Sequence, residues 1–206
     1  MVYFLGMKIM YSEKYIILHQ LKYELKLLKR FELLNCKVVV TPANTNQKLD
    51  SDYDGDDGDA TTSKQLVGSL RYLCNNRPDI FYEVGIMSRF MSKSKWSHYQ
   101  AVVKILRYIK RTLKYGVLFP SDVETDSVLL SYSDSDWCGD IVDKRSTYVY
   151  FFKFMESPIS WRSKKQPDVA LSPCEAEYIA GDVTTYQVVW LLNLLQDLKI
   201  KVNKPL

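Results

Sequence analysis

The sequence predicts an α+β fold in which a β-hairpin and several helices precede a smaller α/β domain. Three successive patterns indicate this order. β-Rich runs open the chain at residues 1–19, apolar residues recur every three to four positions within residues 21–34 and 63–115, and the period changes to two after Gly116. Hydrophobic residues make up 47% and charged residues 25% of the chain, an ordinary balance for a globular protein.

The first region, residues 1–40, predicts a hairpin followed by one helix. Residues 3–11 and 14–20 are rich in β-forming side chains, and the polar triplet between them predicts the turn. An amphipathic helix is predicted from Leu21 to Leu34. Its expected apolar stripe consists of Leu21, Leu25, Leu28, Phe31 and Leu34.

An acidic linker is predicted at residues 41–62, which are poor in apolar side chains and rich in Asp, Asn and Gly. Residues 50–55 match the opening D-x-D-x-D-G of an EF-hand calcium loop. The twelfth position of such a loop would be Thr61, where calcium binding requires a bidentate Glu. A linker is therefore the preferred interpretation.

Outside the acidic linker, basic residues outnumber acidic ones. The linker holds six Asp and one Lys, so the rest of the chain carries 27 of the 28 basic residues and 18 of the 24 acidic ones. A basic body with an acidic loop is compatible with a polyanionic partner, although many unrelated proteins share this balance.

Residues 63–115 predict a helical connection region. Helical spacing covers residues 66–74 and 80–91, and the clearest helix spans 97–114, with Ser97 and Gln100 as a predicted capping box. The apolar face of this third helix is predicted to hold Val102, Leu106, Ile109 and Leu113, and the nearly opposite face Lys104, Arg107, Arg111 and Lys114. Such a basic face is either solvated or suited to contact phosphates.

A smaller domain is predicted at residues 128–206. Residues 128–137, 147–154 and 158–163 predict three successive strands. One long helix should follow from Ser172, its expected N-cap, to Leu198. Three strands and a helix at the end of the chain suggest an α/β domain that stops before its next strand.

Two pairs of carboxylates in this domain could carry chemistry. Asp134 and Asp136 lie late in the first strand, and Glu175 and Glu177 lie in the first turns of the long helix. A strand carboxylate facing a helix carboxylate would cluster oxygen ligands for Mg²⁺. Residue type alone also allows a structural role, because Asp forms turns at strand ends and Glu complements the dipole at a helix start.

Several segments resemble one family. The strings YSDSDWCGD, DKRSTYVYFF, ISWRSKKQ and EAEYIA resemble the ribonuclease H domain of Ty1/copia-type retrotransposon polyproteins. Upstream, YFLGMKI, LVGSLRYL, RPDI and ILRYIK resemble the end of the reverse transcriptase of the same elements. The resemblance implies a hairpin and helical segment of reverse transcriptase type, followed by an incomplete ribonuclease H-like α/β domain.

The resemblance also implies a site. Asp134 and Glu177 match two of the catalytic carboxylates that hold Mg²⁺ in the family, while Asp136 and Glu175 are weaker candidates for the metal. The implied chemistry is Mg²⁺-dependent hydrolysis of RNA in RNA–DNA hybrids during reverse transcription. The residues expected to contact such a hybrid, or another nucleic acid, are Lys104, Arg107, Arg111, Lys114, Arg145, Lys164 and Lys165.

The family's third carboxylate would follow Leu206, so the domain is expected to be truncated and inactive. A non-enzymatic nucleic-acid-binding remnant is the main alternative. A secreted, effector-like protein is a further one, since residues 68–71 and 104–107 approach an R-x-L-R signal without matching it.

An intracellular location, cytoplasmic or nuclear, is expected. No signal peptide is recognisable, and no apolar run approaches the roughly 20 residues that a membrane span needs. The four cysteines are scattered without a C-x-x-C pair, which disfavours structural zinc and fits a reducing compartment better than a disulfide framework.

Overall fold

The computed structural model of the chain describes residues 2–43, 56, 59–121 and 128–202. Within these ranges the strands are β1 (Val2–Phe4), β2 (Met7–Tyr11), β3 (Tyr15–His19), β4 (Val117–Pro120), β5 (Leu129–Ser135), β6 (Thr147–Phe154) and β7 (Ser157–Lys165). The helices are α1 (Leu21–Arg30), α2 (Ala60–Leu73), α3 (Phe81–Met87), α4 (Trp96–Arg111) and α5 (Pro173–Asp197), and a short 3₁₀ helix spans Ser88–Phe90.

The elements form two sheets with helices, which confirms the α+β class. One sheet has the order β1-β2-β3-β4 and the other the order β5-β6-β7. The chain divides into two compact units, of which the first comprises residues 1–11 and 17–117 and the second residues 12–16 and 118–206. The first unit therefore contains the predicted helical connection region and the predicted hairpin region, except for residues 12–16 of the hairpin, which fall in the second unit. None of the helices in the described part of the chain has the length and apolar character of a membrane span.

The N-terminal strand is interrupted by a turn that the sequence pattern did not predict. Residues 3–11 do not form one strand, because Leu5 and Gly6 both adopt positive φ (47° and 76°) and β1 folds back antiparallel on β2. The Tyr72 hydroxyl donates to the Leu5 carbonyl at 2.6 Å, and a Cβ on Gly6 would collide with that hydroxyl. The turn is thus set by a contact with α2.

Helix α1 is shorter than predicted, and its buried face is partly different. It ends at Arg30, close to Glu32, which adopts a positive φ of 57°.

The predicted stripe is confirmed at Leu28, which is fully buried, and wrong at Leu25 and Leu34, which are 40% and 41% exposed. Glu24 and Leu27 are buried instead. The buried apolar cluster of the first unit contains Leu27, Leu28, Leu66, Val67, Leu70, Leu73, Ile80, Val84, Met87, Val102, Ile105, Leu106 and Ile109.

The start of α4 also differs from its prediction. The helix begins at Trp96 with Lys95 as N-cap, and the Lys95 amide donates to Nδ1 of His98 at 3.1 Å. His98 therefore closes this helix end, in place of the predicted pair Ser97 and Gln100.

Part of the predicted linker 41–62 is helical. Helix α2 begins at Ala60, and the carboxylate of its N-cap Asp59 accepts the Thr61 amide at 2.9 Å. Residues 50–55, the calcium-loop-like segment, lie outside the described residues. Thr61, the twelfth position of that pattern, lies in the first turn of α2.

The second unit packs α5 on the three-stranded sheet. Its buried apolar cluster contains Leu129, Tyr148, Tyr150, Phe152, Ala180 and Leu191. β5 and β7 both pair antiparallel with the central β6. Helix α5 starts as predicted, with the Ser172 hydroxyl accepting the Glu175 amide at 3.1 Å and Pro173 in the first turn. All four cysteines, which lie within the described ranges, are free.

A buried arginine connects the helices of the first unit. The side chains of Arg77 and Glu24 are each only 1% exposed, and Nη1 of Arg77 donates to Glu24 at 2.6 Å. Nε and Nη2 form a bidentate pair with Asp79 at 2.9 and 2.8 Å. The Thr112 hydroxyl and carbonyl, at the C-terminal end of α4, accept at 2.5 and 3.2 Å. Arg77 thereby joins α1, the segment before α3 and the end of α4.

In the cluster of Arg77, Glu24 and Asp79, one guanidinium faces two carboxylates, so the charges do not cancel. Burial raises the pKa of Glu24 from 4.5 to about 7, against the attraction of Arg77. Burial also opposes the charge of Arg77, but Asp79 and Glu24 raise its pKa nonetheless. The two pKa shifts are compatible. Asp79 accepts two hydrogen bonds from Arg77, whereas Oε2 of Glu24 is buried without a hydrogen-bond partner. Arg77 therefore keeps its charge, and Glu24 is the member of the cluster whose pKa is raised towards neutrality.

Replacing Arg77 should destabilise the first unit strongly. Arg77→Ala would leave the buried Glu24 and the partly buried Asp79 without their shared cation. Removal of one partner of a buried ion pair costs about 3–5 kcal/mol. Urea unfolding would measure this loss. Arg111→Ala, at an exposed position of α4, should stay within about 0.5 kcal/mol of wild type. Equal effects of the two substitutions would contradict a central role for Arg77.

The free energy of unfolding should also decrease as the pH rises, because Glu24 loses its proton. Its folded-state pKa, about 7, exceeds the ordinary value of 4.5, so the folded chain holds this proton more tightly than the unfolded chain does. The stabilisation is complete below pH 4.5 and is lost as the pH rises to about 7. At about 1.4 kcal/mol per pKa unit, the rise from 4.5 to about 7 corresponds to a loss of about 3–4 kcal/mol.

Glu24→Gln should remove this pH dependence. The measurement is the unfolding free energy at about pH 5 and about pH 8 for both proteins. Burial also raises the pKa of Glu83, and the variant retains that contribution, so the difference between the two proteins isolates Glu24. Parallel pH profiles for wild type and variant would show that Glu24 does not titrate in this window.

Candidate metal site and nucleic-acid surface

The carboxylate of Glu177, in the second turn of α5, reaches the edge of strand β5. Its Oε1 accepts the Ser135 amide at 3.3 Å. The neighbouring Asp136 amide donates to Thr147 of β6 at 3.1 Å, so the Ser135 amide points away from β6, towards the outer edge of the sheet. Glu177 is thus held at the residue that follows Asp134.

Asp134 lies on the other face of the sheet. Leu129 packs in the apolar cluster with α5, and the Ser133 hydroxyl lies 3.1 Å from the Thr184 hydroxyl of the same helix. Because side chains alternate along a strand, Asp134 points away from α5, and it is exposed. The two carboxylates approach the edge strand from opposite sides, and their direct pairing stays a prediction.

The two weaker candidates are engaged in local backbone bonds. Asp136 directly follows β5, and its Oδ1 accepts the amide of Thr147, the first residue of β6, at 2.6 Å. Oε2 of Glu175 accepts the Leu171 amide at 2.7 Å, which closes the start of α5. A Cβ at Gly139 would collide with the Asp136 carboxylate, so this loop is shaped around it. Both side chains therefore fix the ends of the elements that carry Asp134 and Glu177.

Two exposed carboxylates are the number of protein ligands that one hydrated Mg²⁺ uses, and they are too few for a pair of ions. Asp134 and Glu177 are both exposed, and Mg²⁺ keeps several waters while using one or two protein carboxylates. Within the described ranges, no group of three or more His, Cys, Asp or Glu side chains could hold a metal ion. Two bridged ions need more ligands than these two residues provide.

Gln166 is a buried residue of this region that the sequence analysis did not single out. It directly follows β7 and is 1% exposed. Its Nε2 donates to the Ser135 hydroxyl at 3.1 Å and to the Ala176 carbonyl at 2.8 Å. Gln166 is the last residue of the family-like string ISWRSKKQ, and this is the feature of the sequence that could have drawn attention to it. The local pattern does not indicate which residues it contacts.

The basic residues predicted near the strands differ in their surroundings. Lys165 is paired with Asp140 at 2.5 Å and with Asp143 at 2.7 Å, and Arg145 lies 3.8 Å from Asp143. Although partial burial opposes it, the hydrogen bond from Lys165 holds the pKa of Asp140 below its usual value. Lys164 is exposed. Of the three predicted contacts, two therefore have acidic neighbours in the same unit.

Half of the predicted basic face of α4 is used inside the first unit. Nζ of Lys104 donates to the Ala43 carbonyl at 2.5 Å, and Nε of Arg107 to the Lys37 carbonyl at 2.6 Å. Lys110, which the predicted face omitted, donates to the Cys36 carbonyl at 2.6 Å. These side chains hold residues 36–43 on the helix. The other two members of the predicted face, Arg111 and Lys114, are exposed.

Comparison with known proteins identifies long relatives. The chain is 40% identical over 204 residues to the retrovirus-related Pol polyprotein from transposon RE1 of Arabidopsis thaliana. The aligned stretch is 98% of this chain and 14% of that protein. It is 38% identical over 204 residues to the corresponding polyprotein from transposon TNT 1-94 of Nicotiana tabacum, covering 94% of this chain and 15% of that protein.

A shorter relative is the secreted RxLR effector protein 161 of Plasmopara viticola, 44% identical over 126 residues, which are 61% of this chain and 87% of that protein. The chain matches no family profile, and no solved structure matches it. It spans only about 14% of the length of the Pol relatives. Similar to these polyproteins over nearly all of its own residues, the chain belongs to the family of retrovirus-related Pol polyproteins of copia-type transposons.

Proposed function

We propose that the second unit is a ribonuclease H-like part of a copia-type Pol polyprotein. Its native chemistry is Mg²⁺-dependent hydrolysis of the RNA strand of RNA–DNA hybrids during reverse transcription. The observation that carries the proposal is the contact of Glu177 with the Ser135 amide, which holds the helix carboxylate one residue from Asp134.

Asp134 and Glu177 would hold the metal ion in this proposal. When bound, Mg²⁺ supplies a polarised water and stabilises charge on the phosphate. The chain's own residues keep the two ligands in place. The Ser135 amide orients Glu177, while Asp136 and Glu175 secure the end of β5 and the start of α5 through backbone bonds.

The isolated 206-residue chain should nevertheless be a poor enzyme. Two-ion hydrolysis needs one ion beside the attacking water and a second beside the leaving oxygen. Among the described residues, no group of three or more His, Cys, Asp or Glu side chains lies together, so Asp134 and Glu177 have no third protein ligand to share a second ion. The proposal for the chain by itself is therefore weak binding of one divalent ion with little or no turnover.

Divalent-ion binding should depend on two of the four acidic residues. We expect the chain to bind about one Mn²⁺, used as a probe for Mg²⁺, and Asp134→Asn or Glu177→Gln to weaken binding by about 10-fold or more. Isothermal titration calorimetry would measure the affinity. Asp136→Asn and Glu175→Gln serve for comparison: these two side chains secure the ends of β5 and α5 through backbone amides, so their loss should lower stability and weaken Mn²⁺ binding less than the loss of Asp134 or Glu177.

Hydrolysis of a labelled RNA–DNA hybrid in Mg²⁺ or Mn²⁺ would be followed with the same proteins. Robust cleavage by the wild-type chain, abolished by Asp134→Asn, would overturn the proposal of a poor isolated enzyme. Mn²⁺ binding that all four substitutions leave unchanged would overturn the site itself.

A non-enzymatic nucleic-acid-binding role is the second candidate, and the basic end of α4 favours it. Arg111, the last residue of α4, and Lys114, three residues beyond the helix and not within it as predicted, are exposed. Lys104 and Arg107 are bonded to backbone carbonyls. Binding through phosphates releases counterions, so the affinity should fall steeply with salt.

The exposed cations of α4 should dominate this binding. Each of Arg111→Ala and Lys114→Ala should reduce the slope of log affinity against log salt by about 1, whatever the nucleic-acid sequence. Fluorescence anisotropy with a labelled hybrid at several salt concentrations would measure the slope. Arg107→Ala is the comparison, because its side chain is bonded to Lys37, and it should change the slope less. Equal slopes for all variants would exclude α4 as the contact surface.

An effector role receives less support from the structure. The segments that approach an R-x-L-R signal, residues 68–71 and 104–107, lie within α2 and α4. Their leucines, Leu70 and Leu106, are fully buried. A linear signal must be accessible, so the folded chain does not present these segments as one.

A further inference from the structure

We propose that Gln166 is a positioning residue for the pair Asp134 and Glu177. Its carboxamide clamps together the residue that follows Asp134 in β5 and the residue that precedes Glu177 in α5. The inference rests on the proposed metal site, which it extends by naming the group that fixes the separation of the two carboxylates.

Both donors of the Gln166 amide point at the backbone segments that carry the carboxylates. Nε2 donates to the hydroxyl of Ser135 at 3.1 Å and to the carbonyl of Ala176 at 2.8 Å. The Gln166 main-chain amide is anchored in turn on the Ser146 carbonyl at 2.8 Å. One rigid group thus reaches the strand and the helix at the two positions adjacent to the candidate ligands.

The orientation of this amide follows from its acceptors. The Ala176 carbonyl can only accept a hydrogen bond, so the nitrogen of the Gln166 amide must face it. Oε1 of Gln166 is buried without a protein partner, and the side chain is 1% exposed. The two donor bonds therefore determine how the group is held, and few other neutral side chains offer two donors on one atom.

The clamp complements the contact between Glu177 and Ser135. Glu177 reaches the Ser135 amide, and Gln166 reaches the Ser135 hydroxyl, so both bonds depend on the position of one residue. If Gln166 released Ser135 or Ala176, the strand edge and the first turns of the helix could shift independently. Small shifts matter here, because a metal site tolerates little change in its ligand positions.

The first experiment is metal-free and uses the full chain. Gln166→Met keeps the length of the side chain and removes both donors. We expect the NMR signal of the Ser135 amide to move and its hydrogen exchange to accelerate, because its bond to Glu177 is loosened. Ser163→Ala is the matched control, since the Ser163 hydroxyl, in β7, is buried without a hydrogen-bond partner, and its loss should leave the Ser135 amide unchanged.

The second experiment measures Mn²⁺ affinity. Gln166→Met should weaken binding by about 10-fold, as loss of a supporting partner typically does, while Ser163→Ala leaves it unchanged. Combined with Glu177→Gln, Gln166→Met should add no further loss, because it acts through that carboxylate. Should Gln166→Met fail to fold, Ser135→Ala removes one half of the clamp, retains the amide that binds Glu177, and should weaken binding by a few fold.

The outcomes separate this inference from the proposed function. If Asp134→Asn and Glu177→Gln leave Mn²⁺ affinity unchanged, the proposed site is wrong and a positioning role falls with it, even if the Ser135 amide responds to Gln166→Met. If those two substitutions weaken binding but Gln166→Met does not, the site stands and the clamp is overturned. A moved Ser135 signal together with a non-additive loss of affinity supports the proposal.

Discussion

The helical unit depends on one buried guanidinium. Arg77 joins Glu24 of α1, Asp79 before α3 and Thr112 at the end of α4, and its side chain is 1% exposed. A buried charge is tolerated only when its donors are satisfied, so the helices must meet around Arg77 in one arrangement. The aromatic rings of Tyr108 and Tyr115 lie 6.0 and 5.7 Å from the guanidinium and close its remaining sides.

In the second unit, neighbouring carboxylates have different tasks. Asp136 accepts the Thr147 amide at the end of β5, and Glu175 accepts the Leu171 amide at the start of α5. Glu177 accepts an amide of β5 and so ties the helix to the strand edge, while Asp134 is exposed on the other face of the sheet. Gln166, in the segment after β7, connects the two elements by donating to Ser135 and Ala176.

Positive charge in this chain is also divided between internal and external partners. Lys104 and Arg107 hold backbone carbonyls of residues 36–43, and Lys165 neutralises acidic neighbours in its own unit. Arg111 and Lys114 remain exposed at the end of α4. A count of basic residues on a helical face therefore overstates the surface that a polyanion can reach.

The sequence by itself determined what depends on neighbouring residues. The periods located the strands of the second unit, and Ser172 with Pro173 predicted the start of α5, because capping is a local interaction. Family motifs identified the copia-type relationship. Tertiary structure decided the turn at Gly6, which Tyr72 fixes, and the burial of Glu24, which Arg77 requires. Periodicity reports which face is apolar, whereas a polar side chain takes its role from a partner that may be distant in the sequence.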